Sequence, residues 1–550
     1  MSLERVCQTI VLVVGVGCAF FHRNVPVGVD GLAYMDVARA YARYDWHTTV
    51  NGYWSPLYAW LLAGGMAVFH PGIHNEFGLA RMLNFVVFAA ALYGFSRYWR
   101  AVSDWSRQAG EGEPAMPAAC PLLWTALGYL LFVMDSSWIV DKVNPDMLVG
   151  ATVFAVAALL LRLSIPLENG QSHGIGGYAW LGMLLAVGYY AKTILLYFGV
   201  FVLGAIVVHG FRKGKLRGPI AAVVVFVALV APFVAILSRT AGHFTAGESG
   251  RLNYAWFVDG AETKTWMVDS QGGAPVPFYP GSVVMDSPRV FRLPSIPGVT
   301  YAPWYDASRF DRRSHPIFEW RDQFRQIAIN LRYFREQLLG EGAALLVPWL
   351  ILLWYRPGAS MRRFAATWFL TLPAAAVVAM YVLVHLAQRF MLGFSLVLCG
   401  AAWASIIVPT GVRLVAQRAL LAGVLVSAAY ALPGLLHYAL SRPMESSRRD
   451  IVIAEAVSGY GVAPGDRVAS IGDGQMAYWA HLAKVSVAAE IWSIDSDKFW
   501  SALPEVQQAA LRSMADSGAR VAIWRRDRDL PCPAEWRTLP ESSGCMIWLR

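Results

Sequence analysis

Apolar runs long enough to cross a bilayer recur along the chain, at about 6–21, 78–98, 120–139, 146–163, 177–191, 193–209, 218–237, 343–355, 364–384, 389–408 and 419–438. Roughly 20 apolar residues in a helix span a hydrocarbon core, and in that solvent the backbone must satisfy its own N–H and C=O groups. These runs point to one fold class, a polytopic α-helical membrane protein. Composition agrees: 56% of the residues are hydrophobic and 15% are charged, more apolar surface than a water-soluble chain can hide. The net charge of +9 reads in such a chain as an orientation signal. No nucleic-acid-binding motif accompanies it, so the expected partner is the lipid bilayer and not a nucleic acid.

The placement of the basic residues decides sides. Arg97, Arg100 and Arg107 follow one run, and Arg212, Lys213, Lys215 and Arg217 follow another. Arg356, Arg362 and Arg363, then Arg413 and Arg418, mark two more short connections. Basic short loops stay in the cytoplasm. All of them fall on one side with Arg5 only if "PLYAWLLAGGMAVFH" (Pro56–His70) does not cross but lies on or dips into the outer surface. The stretch 177–209 as one helix would be about 50 Å long, too long for a bilayer. Two short helices meeting at "YYAKT" are expected instead, with Lys192 at the outer surface. The flank "FFHRNVPVG" has no small-x-small cleavage site, so the first run is read as an uncleaved span. The expectation is about 11 spans, N-terminus inside and C-terminus outside: a transmembrane domain at 1–440 with outer loops 23–77 and 238–341, then an extracytoplasmic domain at 441–550.

In that tail "RVASIG", "VSVAAEI" and "RVAIW" read as strands, and "GQMAYWAHLAK" and "PEVQQAALRSMADSG" as helices, which predicts a small α/β domain. Its "IGDG" lacks the third glycine of a nucleotide-binding turn. Cys532 and Cys545 lie in the tail, where an oxidising compartment would pair them. The long loop ends in "FEWRDQFRQIAINLRYFREQL", where Phe324, Ile327, Leu331, Phe334 and Leu338 form a helical stripe and Arg321, Arg325, Arg332 and Arg335 lie mostly off it. Two readings stay open: an interfacial helix, or an ordinary helix packed on the loop.

Several ionisable residues then share the outer side: Asp30 and Asp36 in the first loop, Lys142 and Asp146 in "DKVNPDMLVG", Lys192 at the tip of the short pair, and His385 and Arg389 in "HLAQRF". Each alone reads as a solvated loop charge. Together they sit at span ends, within reach of a lipid headgroup. Cations there would neutralise a leaving phosphate and a carboxylate would take the proton of an acceptor hydroxyl.

The ordered motifs "DGLAYMDVARAY", "YWSPLYAWLLAG", "NPDMLVGATVFAVAALLL", "GYYAKTILL" and "HLAQRFML" resemble those of the GT-C superfamily of membrane glycosyltransferases, over about 5–410. They are most similar to the branch with the lipid A aminoarabinose transferases, the protein O-mannosyltransferases and the Rhizobium lipopolysaccharide transferases. The resemblance implies a GT-C-like fold with a partly inserted outer helix, which matches the reading of Pro56–His70 from charge, and an extracytoplasmic C-terminal domain. It implies an inverting hexosyl- or pentosyltransferase that uses a polyprenyl-phosphate sugar donor and an extracytoplasmic acceptor, which is a glycolipid, a polysaccharide or a protein, in a bacterial plasma membrane. Asp30 matches the catalytic carboxylate and Asp146 the "NPD" acid; Lys192 and Arg389 match cations for the donor phosphate, with Lys142 and His385 in reach. Asn51, Tyr53 and Trp54 are candidates for the sugar pocket. Relatives often carry a second acid beside the first, where this chain has Gly31. A divalent cation (Mg or Mn) would therefore rest on Asp30 and Asp146 alone, fewer ligands than such sites usually use. The rival readings are a transporter or flippase of lipid-linked sugars, which would place polar residues at mid-membrane, and a non-catalytic scaffold.

Overall fold

Helices form where the apolar runs predict them. The computed structural model describes residues 2–108, 113–136, 140, 142–164, 174–259, 283–310, 316–340, 342–440, 446–525 and 531–549. Among the described residues, six helices are long and apolar enough to cross a membrane: Leu3–Phe21, Glu76–Gln108, Asp146–Ser164, Ile194–Arg212, Arg217–Ala241 and Thr410–His437. Two further pairs pass together but bend by 79° (Trp320–Leu339 with Ala343–Tyr355) and 82° (Pro357–Ala366 with Trp368–Leu383). Pro56–Phe69, Pro121–Ser136, Ile175–Ala191 and Gln388–Ala404 are apolar but shorter. The break expected at Lys192 is present, between Ile175–Ala191 and Ile194–Arg212. Pro56–Phe69 has 14 residues, about 21 Å of helix, less than a hydrocarbon core.

The tail residues build a sheet whose order is β1-β2-β4-β3-β5-β7-β6. Here β1 is Val283–Asp286, β2 Arg289–Arg292, β3 Arg467–Ile471, β4 Ser486–Ile491, β5 Val521–Arg525, β6 Arg537–Thr538 and β7 Gly544–Trp548. The centre, β4-β3-β5, is parallel, and antiparallel strands close both sides. The strands read at "RVASIG", "VSVAAEI" and "RVAIW" are β3, β4 and β5. The sequence boundary at 440/441 does not enclose this sheet: the hairpin β1-β2 comes from the long loop and pairs onto β4. No periodic signal links a hairpin to a sheet almost 200 residues later, so register across that gap is invisible in sequence. Helix Pro504–Asp516 forms as read, whereas "GQMAYWAHLAK" shortens to a 3-10 turn and the helix Tyr478–Leu482.

Two cores follow. One lies among the apolar helices. The other joins the helix Val29–Ala42, Pro56–Phe69, the long loop through Phe291, Tyr301 and Tyr305, and the tail through Ile453, Trp479 and Val487. A buried polar network runs through this second core. Asp36 accepts hydrogen bonds from Thr300 N (2.8 Å) and Thr300 Oγ1 (2.9 Å) and contacts His481 Nδ1 at 2.7 Å. His481 Nε2 lies 3.1 Å from Glu76, which also pairs with Arg39 at 2.7 Å. Burial and the Arg39 charge push the His481 imidazole down, but the charge of Glu76 and the hydrogen bonds to Asp36 and Glu76 outweigh them and leave it raised.

A raised histidine stabilises the fold fully below its unfolded value, about 6.5, and the contribution is lost as pH rises through the folded value. Thermal melts in detergent should therefore show stability falling on the alkaline side, and His481→Gln should remove that slope. His481→Ala, which takes from the buried Asp36 and Glu76 the imidazole they share, should cost about 3–5 kcal/mol. A melting profile with the same pH slope in His481→Gln and the unaltered protein would exclude the imidazolium.

Candidate active site

Asp30, Asp146, Lys192 and Arg389, read from four separate motifs, meet in one cluster. Asp146 opens the helix Asp146–Ser164, and its amide is held by Asn144 Oδ1 at 3.0 Å. Asp30 lies in the first turn of Val29–Ala42, after Gly28 at φ 78°, a backbone conformation open to glycine and costly for other residues. Arg389 lies in the first turn of Gln388–Ala404. Lys192 is extended, at φ −160° and ψ 135°, in the helix break. Lys192 Nζ sits 2.6 Å from Asp146 Oδ1. Arg389 reaches both acids, with Nε 3.5 Å from Asp146 Oδ2 and Nη2 3.4 Å from Asp30 Oδ2. The side chain of Asp146 is 3% exposed, that of Asp30 31% and that of Arg389 40%. Phe390 lies under both cations, 4.1 Å from Lys192 Nζ and 5.1 Å from Arg389 Cζ.

Two polar residues of Glu76–Gln108 hold the loops that bring the acids in. Arg81, 1% exposed, donates to the carbonyls of Val25 and Pro26 at 3.1 Å each, ahead of Asp30. Asn84 donates to the carbonyls of Val140 (3.1 Å) and Lys142 (2.7 Å), ahead of Asp146. Its Oδ1 accepts from Tyr58 Oη of the helix Pro56–Phe69. Sequence reasoning passed over Arg81 and Asn84. The signal was there: polar residues inside an apolar run are costly and mark a role.

Gly31 has a steric cause. A Cβ at that position would stand 2.9 Å from Val143 Cβ and 3.1 Å from its carbonyl oxygen. A second acid beside Asp30 therefore has no room. Among the described residues no three His, Cys, Asp or Glu side chains come together as a metal group. Asp30 and Asp146 face cationic side chains instead, so the donor set on hand suits a phosphate better than a divalent cation.

Aromatic rings wall the cluster. Tyr53 packs against Trp54 (4.6 Å between centroids), Trp304 (5.5 Å) and Trp256 (5.6 Å). Burial raises the Tyr53 hydroxyl, Asp30 adds to the rise and Arg389 opposes it, so the phenol stays protonated beside the acid. Asn51 is buried and acts differently: its Oδ1 accepts from the amides of Tyr53 (2.9 Å) and Trp54 (2.8 Å), and its Nδ2 donates to the Tyr305 carbonyl. Those bonds fix the turn that carries Tyr53 and Trp54. Trp256 and Trp304 come from the long loop, whose aromatic richness was visible but whose return to Tyr53 was not. Tyr478 of the tail also reaches the region. Its hydroxyl is pushed up to about 12, by burial first, then Asp450, with a smaller part from Asp30.

His385 stacks face to face on Phe257, 3.9 Å between centroids and 4° between planes. Burial, then Arg389 and Lys192, push its imidazole down to about 4. A neutral imidazole keeps one N–H to donate. Lys142 is exposed on the loop before Asp146, and that loop is held to the site by its backbone.

No protein-family model and no curated protein matches the sequence. Solved structures do. The oligosaccharyltransferase of Archaeoglobus fulgidus in complex with Zn and sulfate aligns over 94% of this chain and 68% of its own, at 10% identity and a TM-score of 0.50. Its apo form aligns over 94% and 69%, at 11% identity and a TM-score of 0.50. ArnT from Cupriavidus metallidurans in the apo state aligns over 98% and 97%, at 14% identity and a TM-score of 0.43. The likeness to the archaeal enzyme is one of fold, and the chain thus has the GT-C fold of the membrane glycosyltransferases that its motifs resemble.

Proposed function

We propose that the protein is an inverting glycosyltransferase that moves a monosaccharide from a polyprenyl-phosphate donor to an extracytoplasmic acceptor. The observation that carries this reading is the cluster itself: one accessible carboxylate, one buried carboxylate and two cations, set at helix starts and a helix break. Asp30 is the base. It takes the proton of the acceptor hydroxyl as that oxygen attacks the anomeric carbon. The bond from that carbon to the phosphate oxygen breaks, and the electron pair leaves with the phosphate. Arg389 and Lys192 receive the phosphate charge, aided by the positive end of Gln388–Ala404. Arg389 is the mobile partner, because its contacts to both acids are long, 3.4 and 3.5 Å. When it turns to phosphate, Asp30 is released to act. Asp146 is too enclosed to take the proton and holds the cations in place. The archaeal protein's zinc keeps a divalent cation in view only at Asp30 and Asp146. In this structure both acids are engaged by cationic side chains.

In this reading the apolar segments make 11 crossings, with Pro56–Phe69 at the outer surface and the tail outside a bacterial plasma membrane. The disulfide between Cys532 and Cys545, with Cα atoms 5.8 Å apart, supports an oxidising location for the tail. The sugar is a hexose or pentose, and the acceptor a glycolipid, polysaccharide or protein.

Asp30→Asn should lower turnover by roughly 10²–10⁴-fold and leave donor KM close to normal. Asp36→Asn should cost stability, since Asp36 bonds Thr300 and His481, while the folded fraction turns over. Steady-state kinetics beside thermal melts separate the two, and an active Asp30→Asn enzyme would remove Asp30 as base. Lys192→Ala should weaken donor use by about 10–100-fold, as expected for a charge-assisted contact; unchanged donor kinetics would take Lys192 out of the site.

The orientation has its own check. In a variant without Cys7, Cys18, Cys120 and Cys399, a membrane-impermeant maleimide added to intact cells should reach Cys532 after mild reduction and not before, Cys545 being buried. Labelling without reductant, or only after lysis, would overturn the pairing or the placement of the tail.

A further inference from the structure

At about 100° per residue, the helix Trp320–Leu339 divides into three faces. Its buried residues, Gln323, Gln326 and Asn330, share one face and are all polar. Trp320, Phe324, Leu331, Phe334 and Leu338 lie about 100° round from that face and are 36% to 66% exposed. Arg321, Arg325, Arg332 and Arg335 lie further round, away from the buried side. An ordinary surface helix is the reverse, apolar inward and polar outward. A helix packed on the long loop would bury its stripe, and this one presents it.

The polar face grips one stretch of backbone. Gln323 Nε2 donates to the Leu383 carbonyl at 2.7 Å and Asn330 Nδ2 to the Val382 carbonyl at 2.9 Å. Leu386 N donates to Asn330 Oδ1 at 3.3 Å and Gln388 N to Tyr333 Oη at 3.2 Å. These are carbonyls at the end of Trp368–Leu383 and amides at the start of Gln388–Ala404, groups that a helix cannot satisfy within itself. The segment so held delivers Arg389. The helix also meets Ala343–Tyr355 at 79°, the angle between an element lying in the bilayer boundary and one crossing it.

We propose that Trp320–Leu339 lies in the outer boundary of the bilayer, its aromatic stripe among the acyl chains and its arginines at anionic headgroups, and that Gln323, Asn330 and Tyr333 are positioning residues that hold Arg389 at phosphate depth. The occupant of the exposed stripe is a lipid surface because of the charge beside it: four arginines against Asp322 and Glu336 within the helix, and guanidinium suits phosphate. The positioning half rests on the reading of Arg389 as a contact to the donor phosphate. The placement half does not.

Nitroxide labels at Phe324→Cys, Leu331→Cys and Glu336→Cys, in a variant without Cys7, Cys18, Cys120 and Cys399, test the placement in vesicles of phosphatidylcholine and phosphatidylglycerol. Collisions with oxygen should dominate at 324 and 331, and collisions with a water-soluble nickel chelate at 336. Nickel contact at all three positions, or immobilised labels at 324 and 331 that report a second copy or another protein, overturns it. Asn330→Leu, equal in size without the polar atoms, tests positioning: polyprenyl phosphate binding should weaken about 10-fold, and the further loss from Arg389→Ala should shrink. Additive losses overturn the positioning role. If the unaltered protein binds no polyprenyl phosphate, the donor reading falls and the positioning half with it, while the labels still decide where the helix lies.

Discussion

Asp146 is a buried carboxylate, and the arrangement of the site follows from what it needs. A charge taken out of water costs several kcal/mol (about 3–5 when one partner is removed) unless cations and hydrogen bonds surround it. Asp146 gets Lys192 at 2.6 Å and Arg389 at 3.5 Å. Those two contacts tie the start of Asp146–Ser164 to the break at Lys192 and to the start of Gln388–Ala404. The break is part of the device. A continuous helix through Lys192 would carry its side chain round the cylinder, whereas the extended residue aims it at Asp146.

Asp30 differs from Asp146 in exposure and in how loosely it is held, and that difference assigns their roles. Arg389 bridges the two acids with long contacts, so an arriving phosphate competes for it on favourable terms. Lys192 is held at short range and stays with Asp146 while still facing the ring of Phe390. One cation is thus fixed and one can exchange partners. In the reaction proposed above, that exchange would couple arrival of the leaving group to release of Asp30.

Much of this was legible in sequence, and the reasons are physical. Apolar runs and basic loops report helix length and charge directly, so the break at Lys192 and the short outer helix Pro56–Phe69 emerged from counting. Asp30, Asp146, Lys192 and Arg389 were visible because charges at span ends are rare and costly. What stayed hidden depends on contacts between distant segments. Arg81 and Asn84 act by holding carbonyls of loops that precede the acids. Trp256 and Trp304 return to Tyr53 across a long loop. The hairpin β1-β2 joins a sheet built from the tail. His385 stacks on Phe257, which comes from a segment far off in sequence.

The helix Val29–Ala42 joins these parts. Asp30 and Asp36 are six residues apart, about 600° of helix rotation, so they leave it in different directions. Asp30 meets Arg389 in the site, and Asp36 meets Thr300 of the long loop and His481 of the tail. Between them Leu32, Ala33, Tyr34 and Met35 are all buried, so the helix cannot turn about its axis without breaking packing on every side. Glu76 carries the link further, because it contacts His481 and Arg39 from the head of the same helix that holds both acid loops through Arg81 and Asn84. Asp30 is therefore held from both ends of its helix: by the loops that Arg81 and Asn84 bind and, through Asp36 and His481, by the α/β unit. The tail thereby helps to keep Asp30 in line with Arg389 without touching either residue's site contact.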